Sequence, residues 1–571
     1  METIQDLIDN MRSFGDQTAI SWKSGSYSFE ELHRRADAYA RGLHALGLRK
    51  GDRVALFADN IPEWLPLNCG IVYGGMVDVP RGLDSTPQEL AYILEHSEAK
   101  AAIVQMDACI PEMTSSLESI ISIQPAEGYM DASELVEMGS DGSQMPSVDL
   151  SDTASIIYTS GTTGAPKGVE LTHGNFISNV SAIQRHIDIG EDDKLVSILP
   201  PWHVFERIIK YTAASCGAET FYSTRMTLLD DLRNEEPTIF ASVPRIWKLI
   251  YDRVAKNINK LSQPKRWFIS KSIDVAKDYA IRDDGIVKTI ERPLYAIADK
   301  AVFSTLRSRL GGRFRFAVSG GGALPPYIEE FFTAAGIEIL EGYGLTETSP
   351  VIAARVPGQG MSYSVGKLMD NLEAKIVDPE TGIQKDDGGE GLLYVKGPSV
   401  MKGYFRDSQA TQDICDDEGY LNTGDLAYFK GDKLVITGRE KDIIVLSNGE
   451  NINPQRIEET LAQSPYISMA IAVGQDWPSL GALIVPDQEI LRAYRQEHDI
   501  DADSKEEYDL FRKEIRSLTQ DMRIDERIRQ FRILPYEFEV GRELTPTLKP
   551  KRNVINGLYK EYLDDMDRCM R

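Results

Sequence analysis

A short polar stretch, Tyr158 to Val169, constrains this chain more than any other part of its sequence. It combines glycines, hydroxyl residues and one lysine, and it follows an apolar run, Ala154–Tyr158, that predicts a buried strand. Because glycine lets the backbone come close to a ligand, such a loop offers N–H groups and hydroxyls to an anion, and phosphate is the expected guest. The alternative is a flexible loop that only joins two elements.

The stretch is not a Walker A loop, in which G-x-x-x-x-G-K is followed by Ser or Thr. Lys167 is followed by Gly168, so no hydroxyl stands where a P-loop would hold magnesium. If the stretch binds phosphate, it does so with a different design.

Helix and strand patterns alternate in the first third of the chain. The segment from Ser28 begins with the S-x-x-E form of a capping box and continues with apolar residues at helical spacing. Val54–Phe57 predicts a strand, and a helix near Pro87–Ser97 precedes another strand at Ala101–Val104. This order predicts an α/β fold with a largely parallel sheet covered by helices.

Two later regions have a different texture. Residues 111–150 show weak periodicity, and we interpret them as irregular. Residues 250–310 mix basic and aromatic side chains at helical intervals, for which a solvated helix pair is the favoured interpretation. The alternative is a surface that contacts anionic lipid or an acidic protein.

Glycines punctuate short β-like runs after residue 365, which predicts a small barrel or twisted ribbon. From Gly438 the pattern returns to mixed α/β. We therefore predict a large N-terminal domain, 1–438, with a β-rich part at about 365–437. A small α/β C-terminal domain, 439–571, would follow a hinge at about 438–442.

Composition excludes several classes of function. The chain has 571 residues and a net charge of −25, which makes nucleic acid an unsuitable partner. Its five cysteines contain no C-x-x-C pair, which argues against a disulfide framework and a zinc ribbon. We expect no secretory signal in the acidic start and no membrane-spanning run, so a cytoplasmic protein, free or peripheral at a membrane surface, is predicted.

Further polar clusters follow the phosphate stretch, and each has a simpler structural explanation. His203 can be a core histidine, Tyr343 a core aromatic, and Asp425 a turn residue. The clusters are Pro200–Arg207, Ser319–Ala323, Gly342–Thr348, Thr423–Asp425 and Gly438–Asp442.

Taken in order, these clusters closely resemble the adenylate-forming superfamily of acyl-CoA synthetases, luciferases and peptide-synthetase adenylation domains. The resemblance covers about residues 15–560 and includes a late Pro-Thr-x-Lys at 546–549. It implies a large domain of two mixed or parallel sheets, a β-barrel-like subdomain and a small mobile C-terminal domain. It also implies attack of a carboxylate on ATP to give an acyl-adenylate.

The resemblance assigns nucleotide roles to residues of this sequence. Tyr343 would stack on adenine, Thr346 would contact the α-phosphate, and Glu347 would bind Mg²⁺. Asp425 would accept both ribose hydroxyls with help from Arg439. The other nucleotide-binding residues implied are Thr159, Ser160, Gly161, Thr162, Thr163, Gly164 and Lys167 for the phosphates, and Gly320, Gly321, Gly322, Ala323, Gly342 and Gly344 around adenine.

Three residues carry the remaining roles that the resemblance implies. Lys549 would be the adenylation lysine, although Leu548 stands where the family often has glycine, and Lys551 is a competing candidate with the wrong spacing. Lys441 stands at the family's hinge position. His203 is assigned to the catalytic site as part of the aromatic-histidine segment.

The segment His203–Arg207 and the 250–310 region resemble the long-chain fatty acyl branch. We therefore expect a medium- to long-chain fatty acid as substrate. Coenzyme A is the favoured acceptor, and acyl carrier protein is the alternative. Val79–Gly82 resembles carrier-protein synthetases, and a run of arginines from Arg523 to Arg532 could dock an acidic carrier. A luciferase-like monooxygenase and a non-catalytic nucleotide-binding relative stay open as other classes.

Overall fold

A computed structural model describes residues 1–105, 117–139, 145–159, 166–281, 285–360, 363–386, 388–502, 504–539, 541–545 and 550–570, with the backbone alone at 280–281 and 285–291. The described chain forms two compact units. Unit 1 comprises residues 1–375, 394–423 and 429–435, and unit 2 comprises residues 376–393, 424–428 and 436–571.

The described residues form the following strands: β1 Thr18–Trp22, β2 Gly25–Ser28, β3 Arg53–Phe57, β4 Val77–Arg81, β5 Ala101–Val104, β6 Ser119–Ser122, β7 Met130–Asp131, β8 Thr153–Thr159, β9 Lys167–Thr172, β10 Lys194–Ser197, β11 Glu219–Tyr222, β12 Ile239–Ser242, β13 Phe316–Ser319, β14 Ile339–Gly344, β15 Val351–Ala354, β16 Gly366–Leu368, β17 Glu373–Val377, β18 Gly391–Lys396, β19 Gly403–Tyr404, β20 Leu421–Lys430, β21 Lys433–Arg439, β22 Ile444–Val445, β23 Asn451–Ile452, β24 Ile467–Val473, β25 Gly481–Pro486 and β26 Gln530–Ile533.

The α-helices of the same residues are α1 Ile4–Asn10, α2 Phe29–Ala45, α3 Trp64–Tyr73, α4 Pro87–Ser97, α5 Ala132–Met138, α6 His173–His186, α7 Val204–Cys216, α8 Leu228–Glu235, α9 Pro244–Asn259, α10 Gln263–Ile281, α11 Gly285–Ala298, α12 Ser304–Arg309, α13 Pro326–Ala334, α14 Ser408–Ile414, α15 Pro454–Leu461, α16 Gln488–His498, α17 Lys505–Thr519, α18 Arg552–Leu558 and α19 Lys560–Met570.

Unit 1 contains two sheets. The first has the order β19-β9-β8-β4-β3-β5-β6-β7, and its strands from β8 to β7 run parallel through β4, β3, β5 and β6. The second contains β16-β15-β14-β13-β12-β10-β11-β1-β2, which is parallel from β14 to β1 and antiparallel at both ends. Two mixed sheets covered by helices confirm the predicted α/β class.

Local sequence signals explain where the first long helix begins and ends. At the start of α2, the Ser28 hydroxyl accepts a hydrogen bond from the Glu31 N–H, and the Glu31 carboxylate accepts one from the Ser28 N–H. This reciprocal capping satisfies backbone donors that a helix start leaves unpaired. Beyond its end, Gly47 adopts φ +99°, a conformation that side chains disfavour.

Two predictions from periodicity are corrected by the structure. Residues 117–139 are not irregular, because they contain β6, β7 and α5; two very short parallel strands at a sheet edge leave little periodic signal. The region 250–310 forms more than the predicted solvated helix pair. Ile273, Ala276 and Phe303 of this region are buried in the core beside β12 and β13.

Unit 2 is built around the sheet β24-β25-β26. β24 and β25 are antiparallel, whereas β25 and β26 are parallel. Helices α15 and α17 supply apolar residues to one buried cluster, and α18 and α19 supply residues to another. The two clusters explain how this small α/β unit builds a core of its own.

In the described residues of the whole chain, no helix has the length and apolar character needed to cross a bilayer.

Candidate active site

Several predicted site segments lie at one edge of the second sheet. β10, β12, β13 and β14 run parallel, so their carboxyl ends meet at the same edge. The chain leaves β10 toward His203, leaves β13 into Gly320–Ala323, and ends β14 with Gly342–Gly344. In open α/β sheets this edge is where ligands bind.

Close contacts hold two of these segments together. A Cβ on Gly320 would lie 2.8 Å from Cζ of Phe205, so a larger residue there would force the phenyl ring to move. The Leu324 N–H donates to Glu341 Oε1 at 2.8 Å, and Arg355 Nη2 pairs with Glu341 Oε2 at 2.6 Å. These bonds tie the loop after β13 to the strand that carries Gly342 and Tyr343.

Tyr343 is half-buried in β14 and pairs with Ala353 of β15. The next residue must be small, because a Cβ on Gly344 would lie 1.8 Å from the carbonyl oxygen of Pro350. The close approach of β15 therefore requires glycine beside the tyrosine. A half-buried ring at the ligand edge suits the predicted adenine contact, which stays a prediction.

Lys167, Tyr404 and Glu347 form a compact group, here named the site triad. The Lys167 ammonium lies 4.8 Å from the centre of the Tyr404 ring. The Tyr404 hydroxyl donates to Glu347 Oε1 at 2.8 Å. All three residues are half-buried. The structure thus joins the lysine of the phosphate stretch to the carboxylate predicted for Mg²⁺.

Three distant chain segments build the site triad. β8 and β9 are antiparallel, with Thr159 opposite Lys167, so they hold both ends of the predicted phosphate loop. β19 adds to the same sheet, with Tyr404 opposite Val169. The Met401 N–H donates to the Glu347 carbonyl at 2.8 Å, which binds the turn after β14 to the strand before β19.

Tyr404 is a site residue that the sequence analysis missed. Burial and the neighbouring Glu347 carboxylate raise its pKa, so the hydroxyl stays protonated and donates. Its only local signal is an aromatic pair, Tyr404-Phe405, behind a glycine. Such a pair is typical of any buried short strand.

Six predicted site residues lie outside the described residues: Ser160, Gly161, Thr162, Thr163, Gly164 and Lys549. Thr346 is described and is half-buried at the start of a 3₁₀ turn, Thr346–Thr348.

Mg²⁺ fits the donors that are present. The cation prefers oxygen ligands and in nucleotide sites takes only one or two carboxylates, with substrate phosphates and water completing its shell. Glu347 supplies such a carboxylate and has one oxygen held by Tyr404. Among the described residues, no cluster of three or more His, Cys, Asp or Glu side chains suggests a different metal site.

Unit 2 contains the residues predicted for the ribose and the hinge. Asp425 is buried, and Arg439 Nε lies 3.0 Å from its Oδ1. Lys441 is exposed in the 3₁₀ turn Glu440–Asp442. The ribose and hinge roles, like the domain boundary at 438–442, stay predictions.

Comparison with known proteins decides the family. The protein-family model described as AMP-binding enzyme matches residues 7–405. The family model described as AMP-binding enzyme C-terminal domain matches residues 441–566. The chain belongs to the AMP-binding enzyme family. That assignment confirms the adenylate-forming resemblance.

Relatives of this AMP-binding enzyme include ligases of long-chain fatty acids. One is a chloroplastic long-chain-fatty-acid–[acyl-carrier-protein] ligase of Arabidopsis thaliana, 32% identical, with 94% of this chain and 82% of the relative covered. The other is a long-chain-fatty-acid–CoA ligase of Mycobacterium bovis, 32% identical, with 92% and 89% covered. The relatives therefore include both acceptor types.

The solved structures support the fold of this AMP-binding enzyme. The adenylation domain of a carboxylate reductase from Mycobacterium chelonae superposes with a TM-score of 0.81 at 21% identity, covering 99% of this chain and 91% of that domain. The likeness concerns the fold alone.

In this AMP-binding enzyme His203 caps a helix. It precedes α7, and its Nδ1 accepts a hydrogen bond from the Phe205 N–H at 3.4 Å. The imidazole is half-buried at the ligand edge of the sheet. Its assignment to the catalytic site stays a prediction.

The next residues of the same motif are buried in the protein interior. Arg207 forms a fully buried ion pair with Asp78 of β4 and donates to the Ser155 hydroxyl of β8 at 2.9 Å. The Ser197 hydroxyl of β10 donates to Glu206 Oε1 at 2.5 Å. α7 therefore connects the two sheets of unit 1 through polar contacts.

Glu206, Lys210 and Tyr222 form a second group, here named the seam triad. The Lys210 ammonium lies 3.9 Å from Glu206 Oε1 and 4.2 Å from the centre of the Tyr222 ring. It also donates to the Asn60 side-chain oxygen at 2.8 Å. Burial raises the pKa of Glu206 and lowers that of Lys210. The i,i+4 spacing of Glu206 and Lys210 on α7 is a sign of an ion pair, but it shows neither the burial of the pair nor the contact with Tyr222.

Arg81, in the stretch that resembles carrier-protein synthetases, is a buried connector. Its guanidinium donates to the Tyr158 carbonyl at 3.2 Å and to the Ser85 hydroxyl at 2.9 Å. The ring of Trp202 lies 4.9 Å from the guanidinium carbon. Arg81 therefore links the strand before the phosphate loop to the segment before His203.

Proposed function

We propose that this AMP-binding enzyme activates a medium- to long-chain fatty acid with ATP and transfers the acyl group to a thiol. The observation that carries the proposal is the site triad, in which Lys167 and Glu347, the carboxylate predicted to bind Mg²⁺, both contact Tyr404. The long-chain fatty acid ligases among the relatives support the choice of substrate.

In the first half-reaction, a fatty acid carboxylate oxygen attacks the α-phosphorus of ATP. The new oxygen–phosphorus bond gives an acyl-adenylate, and the bond to pyrophosphate breaks. Two anions must meet, so the residues mainly neutralise charge and orient the reactants. Lys167 holds the β- and γ-phosphates with the loop at 159–164, and Lys549 bridges the carboxylate and the α-phosphate.

Glu347 would hold Mg²⁺, which when bound neutralises phosphate charge. Thr346 contacts the α-phosphate. Gly320–Ala323 and Tyr343 bind adenine, and Asp425 with Arg439 binds the ribose. The pairing of Arg439 with Asp425 supports that role, because it orients a buried carboxylate toward acceptance of hydroxyl donors.

In the second half-reaction, a thiol attacks the acyl carbonyl, a thioester forms and AMP leaves. We propose coenzyme A as the acceptor, with acyl carrier protein as the alternative. The arginine run offers limited support for carrier docking. Arg532 pairs with Asp565, and Arg527 donates to the backbone carbonyls of Gln520 and Met522 in the turn after α17. These intramolecular partners leave fewer cations for an acidic protein.

We also propose that the enzyme works in the cytoplasm and meets its substrate at a membrane surface. A long-chain fatty acid is amphiphilic and partitions into bilayers, so an enzyme at that surface meets a high local concentration of it.

The deciding experiment is ATP–pyrophosphate exchange with fatty acids of graded length. We expect exchange that requires a medium- or long-chain acid, and loss of about 10²–10³-fold in Lys549→Ala. Lys551→Ala is the matched control, because the Lys551 ammonium donates to the Gly541 carbonyl at 2.9 Å and its removal should leave exchange intact. Thioester formation is then measured with coenzyme A and carrier protein side by side.

Each contrary outcome has a distinct meaning. Near-normal exchange in Lys549→Ala would refute the role of that lysine. Absence of exchange with any acid would indicate a non-catalytic nucleotide-binding relative. Acid-dependent oxygen consumption or light without a thioester would indicate a luciferase-like monooxygenase.

The hinge is tested through the two half-reactions. Proline at position 441 restricts backbone rotation, so Lys441→Pro should spare exchange and reduce thioester formation by about 10-fold or more. Lys441→Ala keeps backbone freedom and serves as the control. Equal loss of both half-reactions in the proline variant would contradict the hinge role.

A further inference from the structure

One region of unit 1 is positively charged, although the protein as a whole is negatively charged. Residues 244–278 contain nine Lys and Arg but only three Asp, a net charge of +6. Since the whole chain carries −25, the rest of it carries −31. A positive region on so acidic a protein gives it a strong preferred orientation toward an anionic surface.

The same region exposes large apolar side chains. Trp267 is 65% exposed, Leu249 52%, Phe268 44% and Leu261 37%. Single exposed apolar residues are normal, but four within 20 residues, among cations, are not scattered. A tryptophan beside basic residues is typical of a surface that enters the headgroup layer of a membrane.

Helical spacing places the exposed side chains of α9 on one face. Leu249 and Arg253 are four residues apart, an interval that returns to the same side of a helix, and Lys260 follows directly after the last residue of α9. Trp247 and Ile250 are buried against the core on the other side. The face of α9 that carries Leu249 and Arg253 therefore points away from the core.

Helix α10 holds the aromatic pair on a rigid support. Ile273 and Ala276, in its second half, are buried in the core, whereas Trp267 and Phe268, in its first half, are exposed. The Arg266 N–H donates to the Ser262 carbonyl at 2.9 Å, which starts the helix just before the pair. Because the helix is already formed, no backbone segment has to become ordered when the aromatic rings bind a partner.

The cations near the rings are available for a partner. Within the described part of the chain, no carboxylate pairs with Arg253, Lys260, Lys265 or Arg266. Unpaired cations beside exposed rings lack the intramolecular partners that the arginine run of unit 2 has.

We propose that this basic-aromatic patch docks the enzyme on an anionic lipid bilayer. The patch consists of Leu249, Arg253, Lys260, Leu261, Lys265, Arg266, Trp267 and Phe268. Its cations would contact lipid phosphates, and its rings would insert at headgroup depth. An acidic protein would engage the cations, but the exposed indole and phenyl rings favour lipid. The inference rests on the proposed function only for the reason to visit a membrane.

Vesicle co-sedimentation of the full chain tests the patch. The probes are vesicles of phosphatidylcholine alone and of phosphatidylcholine with about one third phosphatidylglycerol. We expect binding to the anionic vesicles that weakens with salt, and much weaker binding to the zwitterionic ones. Lys265→Glu with Arg266→Glu should lower the anionic partition coefficient at least about tenfold, and Trp267→Ser with Phe268→Ser by a similar factor.

A control variant matches the change in charge. Lys513→Glu with Arg516→Glu alters two exposed cations of α17 in unit 2 and should bind vesicles like the wild type. Equal binding of the wild type to both vesicle types, or wild-type binding by the patch variants, would overturn the proposal. Patch variants that still bind anionic vesicles but no longer bind acyl carrier protein would also overturn the proposal, because the patch would then contact an acidic protein.

The two proposals fail separately. Exchange measured with detergent-dispersed fatty acid and no vesicles should be unchanged in the patch variants. A wild-type chain that binds anionic vesicles but lacks exchange would contradict the proposed function and leave the patch intact.

Discussion

The site triad and the seam triad of unit 1 combine the same residue types, Lys, Tyr and Glu, but differ strongly in burial. In the site triad, Lys167 lies over Tyr404 and the tyrosine hydroxyl binds Glu347, and all three side chains are half-buried. In the seam triad, Lys210 lies over Tyr222 beside Glu206, and all three are at most 6% exposed. The same residue types therefore serve an open site in one place and the interior in another.

The difference shows how motif residues divide between chemistry and structure. A buried charge is tolerated only with partners, because its desolvation is costly. Lys210 has Asn60 and Glu206 as those partners. Lys167 makes a ring contact at a half-buried position, which leaves its ammonium able to meet a phosphate. We expect substitutions to affect stability in the seam triad and activity in the site triad.

The largest effect is expected in the seam triad. Lys210→Met keeps an apolar chain of similar length but leaves Glu206 without its cation. The free energy of unfolding should fall by about 3 kcal/mol, measured by urea unfolding. Adding Glu206→Gln removes the orphaned charge and should restore most of the loss. A double variant as unstable as the single one would contradict the electrostatic explanation.

The matching change in the site triad should leave stability alone. Lys167→Met should change the free energy of unfolding by no more than about 0.5 kcal/mol but lower the exchange rate about 10²-fold, because phosphate charge is no longer neutralised. The control is Lys402→Met, which makes the same substitution at an exposed lysine that pairs with Glu170 of β9. Loss of stability without loss of exchange would abolish the distinction between the triads.

A smaller effect is expected from the tyrosine hydroxyl. Tyr404→Phe removes the donor to Glu347, so exchange at limiting Mg²⁺ should fall about tenfold and recover in part at high Mg²⁺. Tyr420→Phe is the control, since its hydroxyl donates to Glu373 at 3.0 Å on an exposed surface. A loss in Tyr404→Phe that is independent of Mg²⁺ would show that the hydroxyl does not act through Glu347.

Much of the fold and part of the site could be predicted from local patterns. The capping box at Ser28, the strand before the phosphate loop and the glycine segment after β13 depend on residues a few positions apart. Interactions over that range leave a readable signal. The order of the motifs was enough to indicate the family.

The missed features depend on contacts between distant residues. Glu347 and Tyr404 are 57 residues apart, and Lys210 and Asn60 are 150 apart. The strand β6 pairs in parallel with β5, and β7 pairs in parallel with β6. Neither periodicity nor spacing reports such pairings, because they arise when separate segments pack.

The sequence by itself determined that the chain alternates helices and strands and carries a polar glycine-rich stretch after a buried strand, because backbone preferences and short-range hydrogen bonds depend on neighbouring residues. Only the tertiary structure decided which charged residues lie half-buried at the candidate site and which are buried and connect the sheets. Burial sets the cost of a charge, and burial is known only when the whole chain has packed around it.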